Sequence, residues 1–240
     1  TTTLYSMLNE LDKEGRNIVS LEDPVEYVVE GVSQSQVMPE IGYTFASGLR
    51  SILRQDPDVI LVGEIRDKET ARLAIQAALT GHLVLSTLHT NNASGVIPRL
   101  IDMGIDPYLI APTLVLAMAQ RLAKATCEDS RKEIPMDEST RAMLEEQFKD
   151  LPDQFKSKLS FSNTMYQTVP SKTCPSGTKG RLAIFEMFLI DKEIEKVILD
   201  KPNELNILKI VREKGMLTMR EDAIIKALRG DIPMQEIYNF

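Results

Sequence analysis

The sequence predicts an α/β protein: a mostly parallel sheet with helices on both faces, followed by a polar insert and a carboxyl-terminal helical part. Three observations carry this. Strand-like and helical patterns alternate from residue 1 to about residue 121, the mark of a parallel sheet covered on both sides. Val59 to Val62, in ILVGEIRD, is a short β-branched run that reads as a buried strand ending in Gly63-Glu64. From Glu128 to Gly180 the chain turns polar and charged before regular patterns resume.

Taken in order, Leu4, Met7, Leu8 and Leu11 share one face of a first helix, which Gly15 stops. That helix opens directly at Thr1, as a fragment of a longer chain would. Ile18 to Leu21 is the next strand, and short strands are expected between Val25 and Met38. Thr44 caps a helix with Phe45, Leu49, Ile52 and Leu53 inward and Arg50 and Arg54 one turn apart. Asp67 caps the helix Lys68 to Leu79, and Gly81 ends it. A strand Leu83 to Leu88, a helix Ala93 to Met103 and a helix opening at Asp106-Pro107 follow. The polar stretch holds one expected helix, Asp137 to Phe148. Leu182 to Phe188 is a strand, and helices begin near Asp191, Asn203 and Thr218, the last with a capping box to Glu221. The expected domains are 1–121, 122–181 and 182–240.

Composition narrows the function. A net charge of −7 argues against a protein that mainly grips nucleic acid, which needs a basic stripe. No apolar run approaches the roughly 18 residues of a membrane span. Two cysteines, Cys127 and Cys174, point to a reducing compartment, the cytoplasm, rather than to a disulfide framework.

The chemistry-bearing residues gather at strand ends. LEDPVE ends an apolar strand in carboxylates, and Glu64 does the same downstream. Open α/β sheets bind ligands at that carboxyl edge. Two acids there, Glu26 and Glu64, suit a Mg²⁺-nucleotide site, with one near the metal and one available to a water. Either acid alone reads equally as a helix cap or an arginine partner, and Glu22-Asp23-Pro24 as a solvated turn. His82 and His89 bracket one strand and are too far apart to be co-ligands. His89 sits at the same edge as the glutamates and is placed to sense a terminal phosphate. His82 reads also as a satisfied histidine at a helix–strand junction. Arg50, Arg54 and Arg66 are the cations available to phosphate, each of which is also an ordinary salt-bridge partner. Thr1 and Thr2 open a helix, an anion site by its free N–H groups, where a hydroxyl can ligate Mg²⁺.

TTTLY, LEDPVEY, LRSILRQDPDVILVGEIRDKETA, TGHLVLSTLHTNNA, AQRL, GRLAIFEMF and GMLTMREDAIIKAL together resemble the secretion ATPase superfamily, in particular the assembly motors of type II secretion and type IV pili. The resemblance spans residue 1 to about 235. It implies a RecA-like core over 1–121, an insert subdomain with a degenerate cysteine motif over 122–181, and a helical subdomain over 182–240. It also implies ATP and Mg²⁺ as cofactors, a homo-hexamer, and an inner-membrane platform protein as partner, with the motor peripheral to that membrane on its cytoplasmic side. Glu26 matches the general base, Glu64 the metal-side glutamate, and His82 and His89 the histidine box. Thr1 matches the hydroxyl residue ending the phosphate loop, with Thr2 beside it. Gln120 and Arg121 in AQRL are expected, with His82, to couple subunits. The glycines and lysine of the phosphate loop would precede residue 1, so the chain by itself is expected to bind ATP poorly. The family's two Cys-x-x-Cys pairs are reduced here to Cys127 and Cys174, so structural zinc is not expected. The alternatives are a retraction motor, against which the long insert speaks, and a non-catalytic docking or regulatory module. A RecA-like nucleic-acid translocase is disfavoured by the acidic balance.

Overall fold

The apolar runs at Ile18–Glu22 and Val59–Val62 are strands in which every residue is buried. The computed structural model describes all residues except Thr1, Ser160 and Ser162, and its contacts divide the chain into two compact units. The first comprises residues 1–90, 96–115 and 198–202. It contains α1 (Thr2–Asn9), β1 (Ile18–Glu22), β2 (Ser33–Gln36), α2 (Phe45–Ile52), β3 (Val59–Val62), α3 (Lys68–Leu79), β4 (Leu83–Ser86), α4 (Val96–Asp102) and α5 (Pro107–Ile110).

The four strands form one sheet in the order β2-β1-β3-β4, and every pair is parallel. Side chains alternate across a strand, and the two faces are covered by different helices. Tyr5 and Leu8 of α1 pack with Ile18, Val59 and Leu61 on one face. On the other, α2 lies so close to β1 that a Cβ on Gly48 would stand 2.8 Å from both methyls of Leu21. The expected caps are present: Thr44 forms a capping box with Ser47, and the Asp67 side chain accepts from Thr70 N at 2.8 Å.

Three elements differ from expectation. Between Val25 and Met38 there is one strand of four residues, because the preceding loop is tied by side chains rather than by a ladder. The strand expected to reach Leu88 ends at Ser86. The helix expected from Ala93 begins at Val96, because the Glu186 carboxylate takes the Ala93 N–H at 2.9 Å and Asn92 Oδ1 takes that of Gly95 at 2.8 Å, which sets a turn there.

The second unit comprises residues 91–95, 116–197 and 203–240. Here β5 (Leu116–Thr126), β6 (Arg131–Pro135), α6 (Glu138–Gln147), α7 (Asp153–Lys156), β7 (Thr164–Thr168) and β8 (Thr178–Leu189) precede α8 (Lys192–Asp200, of which 198–200 count with the first unit), α9 (Glu204–Glu213) and α10 (Met219–Leu228). Two antiparallel ribbons, β5 with β8 and β6 with β7, replace the parallel pattern. The expected boundary at residue 121 falls inside β5, which pairs with β8 from Leu116 to Thr126. The stretches 122–181 and 182–240 also share one core: Leu144 and Phe148 of the polar segment are buried with Ile184, Ile224 and Ala227. Few apolar residues on α6 suffice because Leu144 is buried in that core and Met143 packs against it. The capping box of Thr218 with Glu221 is formed, and Glu221 is fully buried against Arg212 at 2.6 Å.

The cysteines correct the sequence reading. Cys127 and Cys174, expected to remain free thiols, form a disulfide. They lie 47 residues apart in sequence, but β5 and β8 run side by side and antiparallel, so the turn after β5 meets the one before β8. No helix among the described residues is long and apolar enough to cross a membrane.

Candidate functional site

Parallel pairing decides where the site lies. Strands β1, β3 and β4 are neighbours and point the same way, so the residues that follow them emerge at one edge. Glu26 follows β1, Glu64 and Arg66 follow β3, and His89 follows β4. The edge is knitted beyond the strands proper. Gly63 N donates to Leu21 O at 2.8 Å, Ile65 N to Thr87 O at 2.9 Å, and Thr87 Oγ1 to Gly63 O at 2.6 Å. A Cβ at Gly63 would lie 3.3 Å from the Glu22 Cα and from Leu21 O, so a side chain there would press on the β1 backbone and spread the edge.

Glu64 is the centre of this arrangement. Its side chain is 13% exposed and receives Arg66 Nη2 at 2.5 Å on Oε1 and His89 Nε2 at 3.0 Å on Oε2. A carboxylate only accepts, so the imidazole carries a proton on Nε2. Burial raises the Glu64 pKa, but hydrogen bonds and charge from Arg66 and His89 outweigh it and hold the group below the usual carboxylate range. The Arg66 guanidinium is raised in turn, first by its bond to Glu64, with Asp23 adding to the effect. A cleft of about 320 Å³ opens beside this edge, lined by Asp23, Val37, Thr44, Phe45, Arg66 and Asp67 among others.

The other expected residues separate. Glu26 is exposed on the loop after β1. Arg50 is ion-paired with Glu69, joining α2 to α3 on a face where both are more than half exposed. Arg54 is exposed just past the end of α2. Thr2 is exposed at the start of α1, and Thr1 lies outside the described residues. His82 is at the far end of β4, where its Nδ1 lies 2.8 Å from Ala77 O and 3.1 Å from Thr80 Oγ1, closing the carboxyl end of α3. Gln120 and Arg121 are exposed on β5 in the second unit, where Arg121 Nη1 donates to Asn239 O at 3.3 Å. Among the described residues no group of three or more His, Cys, Asp or Glu side chains is arranged to hold a metal.

The alternative reading of Glu22-Asp23-Pro24 as a solvated turn fails at Glu22, which is 1% exposed and accepts from Tyr5 Oη, from Ser20 Oγ at 2.6 Å and from Gln34 Nε2 at 3.1 Å. The available signal was periodicity. Ser20 and Glu22 share the strand face of Ile18, so both are polar groups pointing into a covered core.

An all-parallel sheet with carboxylates, a histidine and an arginine at one carboxyl edge belongs to the class of α/β proteins that bind ligands outside the strand ends. Comparison specifies it further: residues 1–239 match the family described as Type II/IV secretion system protein, and the chain belongs to that family. It is 43% identical over 238 residues to "Type II secretion system protein E" of Aeromonas hydrophila, covering 99% of this chain and 45% of that protein. It is 44% identical over 237 residues to "Type IV pilus assembly ATPase PilB" of Acinetobacter baylyi, covering 99% and 40%. The chain thus spans less than half the length of these relatives. Among solved structures, the Legionella pneumophila ATPase DotB superposes with a TM-score of 0.64 at 24% identity over 96% of this chain and 52% of its own. The ADP-bound pilus retraction motor PilT gives 0.61 at 26% identity over 93% and 52%. The fold is therefore the RecA-like one of secretion ATPases.

Proposed function

We propose that the full-length protein containing this chain is an ATP-hydrolysing motor that powers pilin or pseudopilin assembly in type IV pilus biogenesis or type II secretion. The observation that carries the reading is the convergence of Glu64, Arg66 and His89 at the carboxyl edge of β3 and β4, with Glu26 leaving the neighbouring strand at the same edge. Glu64 is the residue that would hold Mg²⁺. Its carboxylate stays ionised at neutral pH, and since both oxygens already take hydrogen bonds, contact through a metal-bound water suits it better than direct ligation. The ion would neutralise charge on the terminal phosphates. Arg66 and His89 add donors for charge that develops during transfer, and Glu26 takes the proton of the attacking water.

Identities of 43–44% to secretion and pilus-assembly proteins, against 26% to the retraction motor, support assembly over retraction. The motor would work as a homo-hexamer at the cytoplasmic face of the inner membrane, docked on a platform protein, with Thr1, Thr2, Arg50 and Arg54 meeting phosphate within or across subunits and His82, Gln120 and Arg121 coupling them. The test is steady-state ATP turnover of the full-length protein and its Glu64→Ala variant, which should lose at least about 10²-fold, the scale of a removed preorganised charge. Unchanged turnover in that variant would overturn the assignment.

A further inference from the structure

We propose that Tyr5, Glu22 and Gln34 are positioning residues that hold the loop bearing Glu26 in its working geometry. The proposal rests on the reading of Glu26 as the base. That loop, residues 23–32, is largely exposed: Tyr27 is 50% and Val28 86% accessible. A loop with so little burial would ordinarily wander. A base, however, must stay within hydrogen-bond reach of its water, and a displacement of about 1 Å can cost 10²-fold in rate.

The clamp is built from three elements. The Tyr5 hydroxyl, on α1, donates to Glu22 Oε2. Its ring meets that of Tyr27 edge-on, with centroids 4.6 Å apart at 81°. From β2, Gln34 Nε2 reaches both Glu22 Oε1 at 3.1 Å and Tyr27 O at 3.2 Å, while its Oε1 takes Val29 N at 2.7 Å. Residues 27 and 29, which flank and follow Glu26, are thereby tied through Gln34 to one buried carboxylate, which itself needs its donors to be tolerated in the core. Burial, then the bond to Glu22, push the Tyr5 phenol up to about 12, so it remains a donor throughout the working pH range. Tyr5 lies one turn beyond Thr2 on α1, so the helix whose start is assigned to phosphate also holds the base loop.

The experiment is a double-mutant cycle on ATP turnover in the full-length protein, with nucleotide affinity and melting temperature measured alongside. Tyr5→Phe and Gln34→Leu should each lower kcat about 10-fold and leave KM and affinity within about two-fold. In a Glu26→Gln background each should cost less than about two-fold, because the group they position is gone. The partly exposed Gln34 serves as the independent arm should Tyr5→Phe lower the melting point. Effects that multiply with Glu26→Gln, or an unchanged kcat in both variants, would overturn the proposal. Full turnover in Glu26→Gln alone would instead overturn the assignment of the base, a failure visible before either clamp variant is tested.

Discussion

His89 Nε2 lies 3.0 Å from Glu64 Oε2, so the histidine after β4 is held by the glutamate after β3. The bond links two neighbouring strand ends and gives the exposed imidazole a fixed orientation. It also separates the two histidines by role, since His82 instead binds Ala77 O at the other end of β4.

In the full-length protein, His89→Ala should therefore reduce ATP turnover by about 10²-fold while nucleotide affinity changes little. His82→Ala should act on melting temperature or on subunit coupling, because it loses the contact that closes α3. Turnover, affinity and melting temperature of the two single variants check this. Equal losses of affinity in both, with unchanged melting temperature, would show the two ends of β4 to be wrongly assigned.

Much of the framework was legible. Val59 to Val62, the caps at Thr44 and Asp67, the capping box at Thr218 and the placement of Glu64 at a strand end all depend on local chemistry. What failed to show depends on pairing across distance. That His89 meets Glu64 follows only once β3 and β4 are neighbours. Burial of Glu22 requires Tyr5, 17 residues away, to supply a donor. The polar segment looked peripheral because α6 offers little apolar surface, whereas Leu144 and Phe148 enter a core made by the last 60 residues of the chain, roughly. Cys127 and Cys174 looked like the remnant of a metal motif, and only the ribbon β5–β8 brings their sulfurs together.

The acid side of the stability profile should report Glu64. Its folded pKa is depressed, so its contribution is complete above the ordinary carboxylate value and is lost as pH falls through the folded one. The stability difference between the parent and Glu64→Gln should be constant from neutral pH to about 5 and shrink below about 4. Tyr5 supplies the opposite arm. With its phenol pushed up to about 12, its contribution is present below its ordinary value of 10.0 and lost as pH rises toward 12. Chemical denaturation across pH measures both; a Glu64→Gln difference that persists unchanged at pH 3 would refute the first.

The disulfide predicts a redox-dependent stability. Joining residues 47 apart restricts the unfolded chain, an effect of about 2–4 kcal/mol for natural bridges. Reduction, Cys127→Ser or Cys174→Ser should each lower stability by that amount, and the two single variants should match the reduced parent. Denaturant midpoints with and without reductant test it. Identical midpoints would mean that the bridge contributes nothing.

Glu26→Gln in the full-length protein is the most direct test of the site as a whole. Glutamine keeps the shape but cannot take a proton from water. Turnover should fall by at least about 10²-fold while nucleotide affinity stays within about two-fold. Near-normal turnover, or a loss of affinity that accounts for the loss of rate, would contradict the hydrolytic site described for this strand edge.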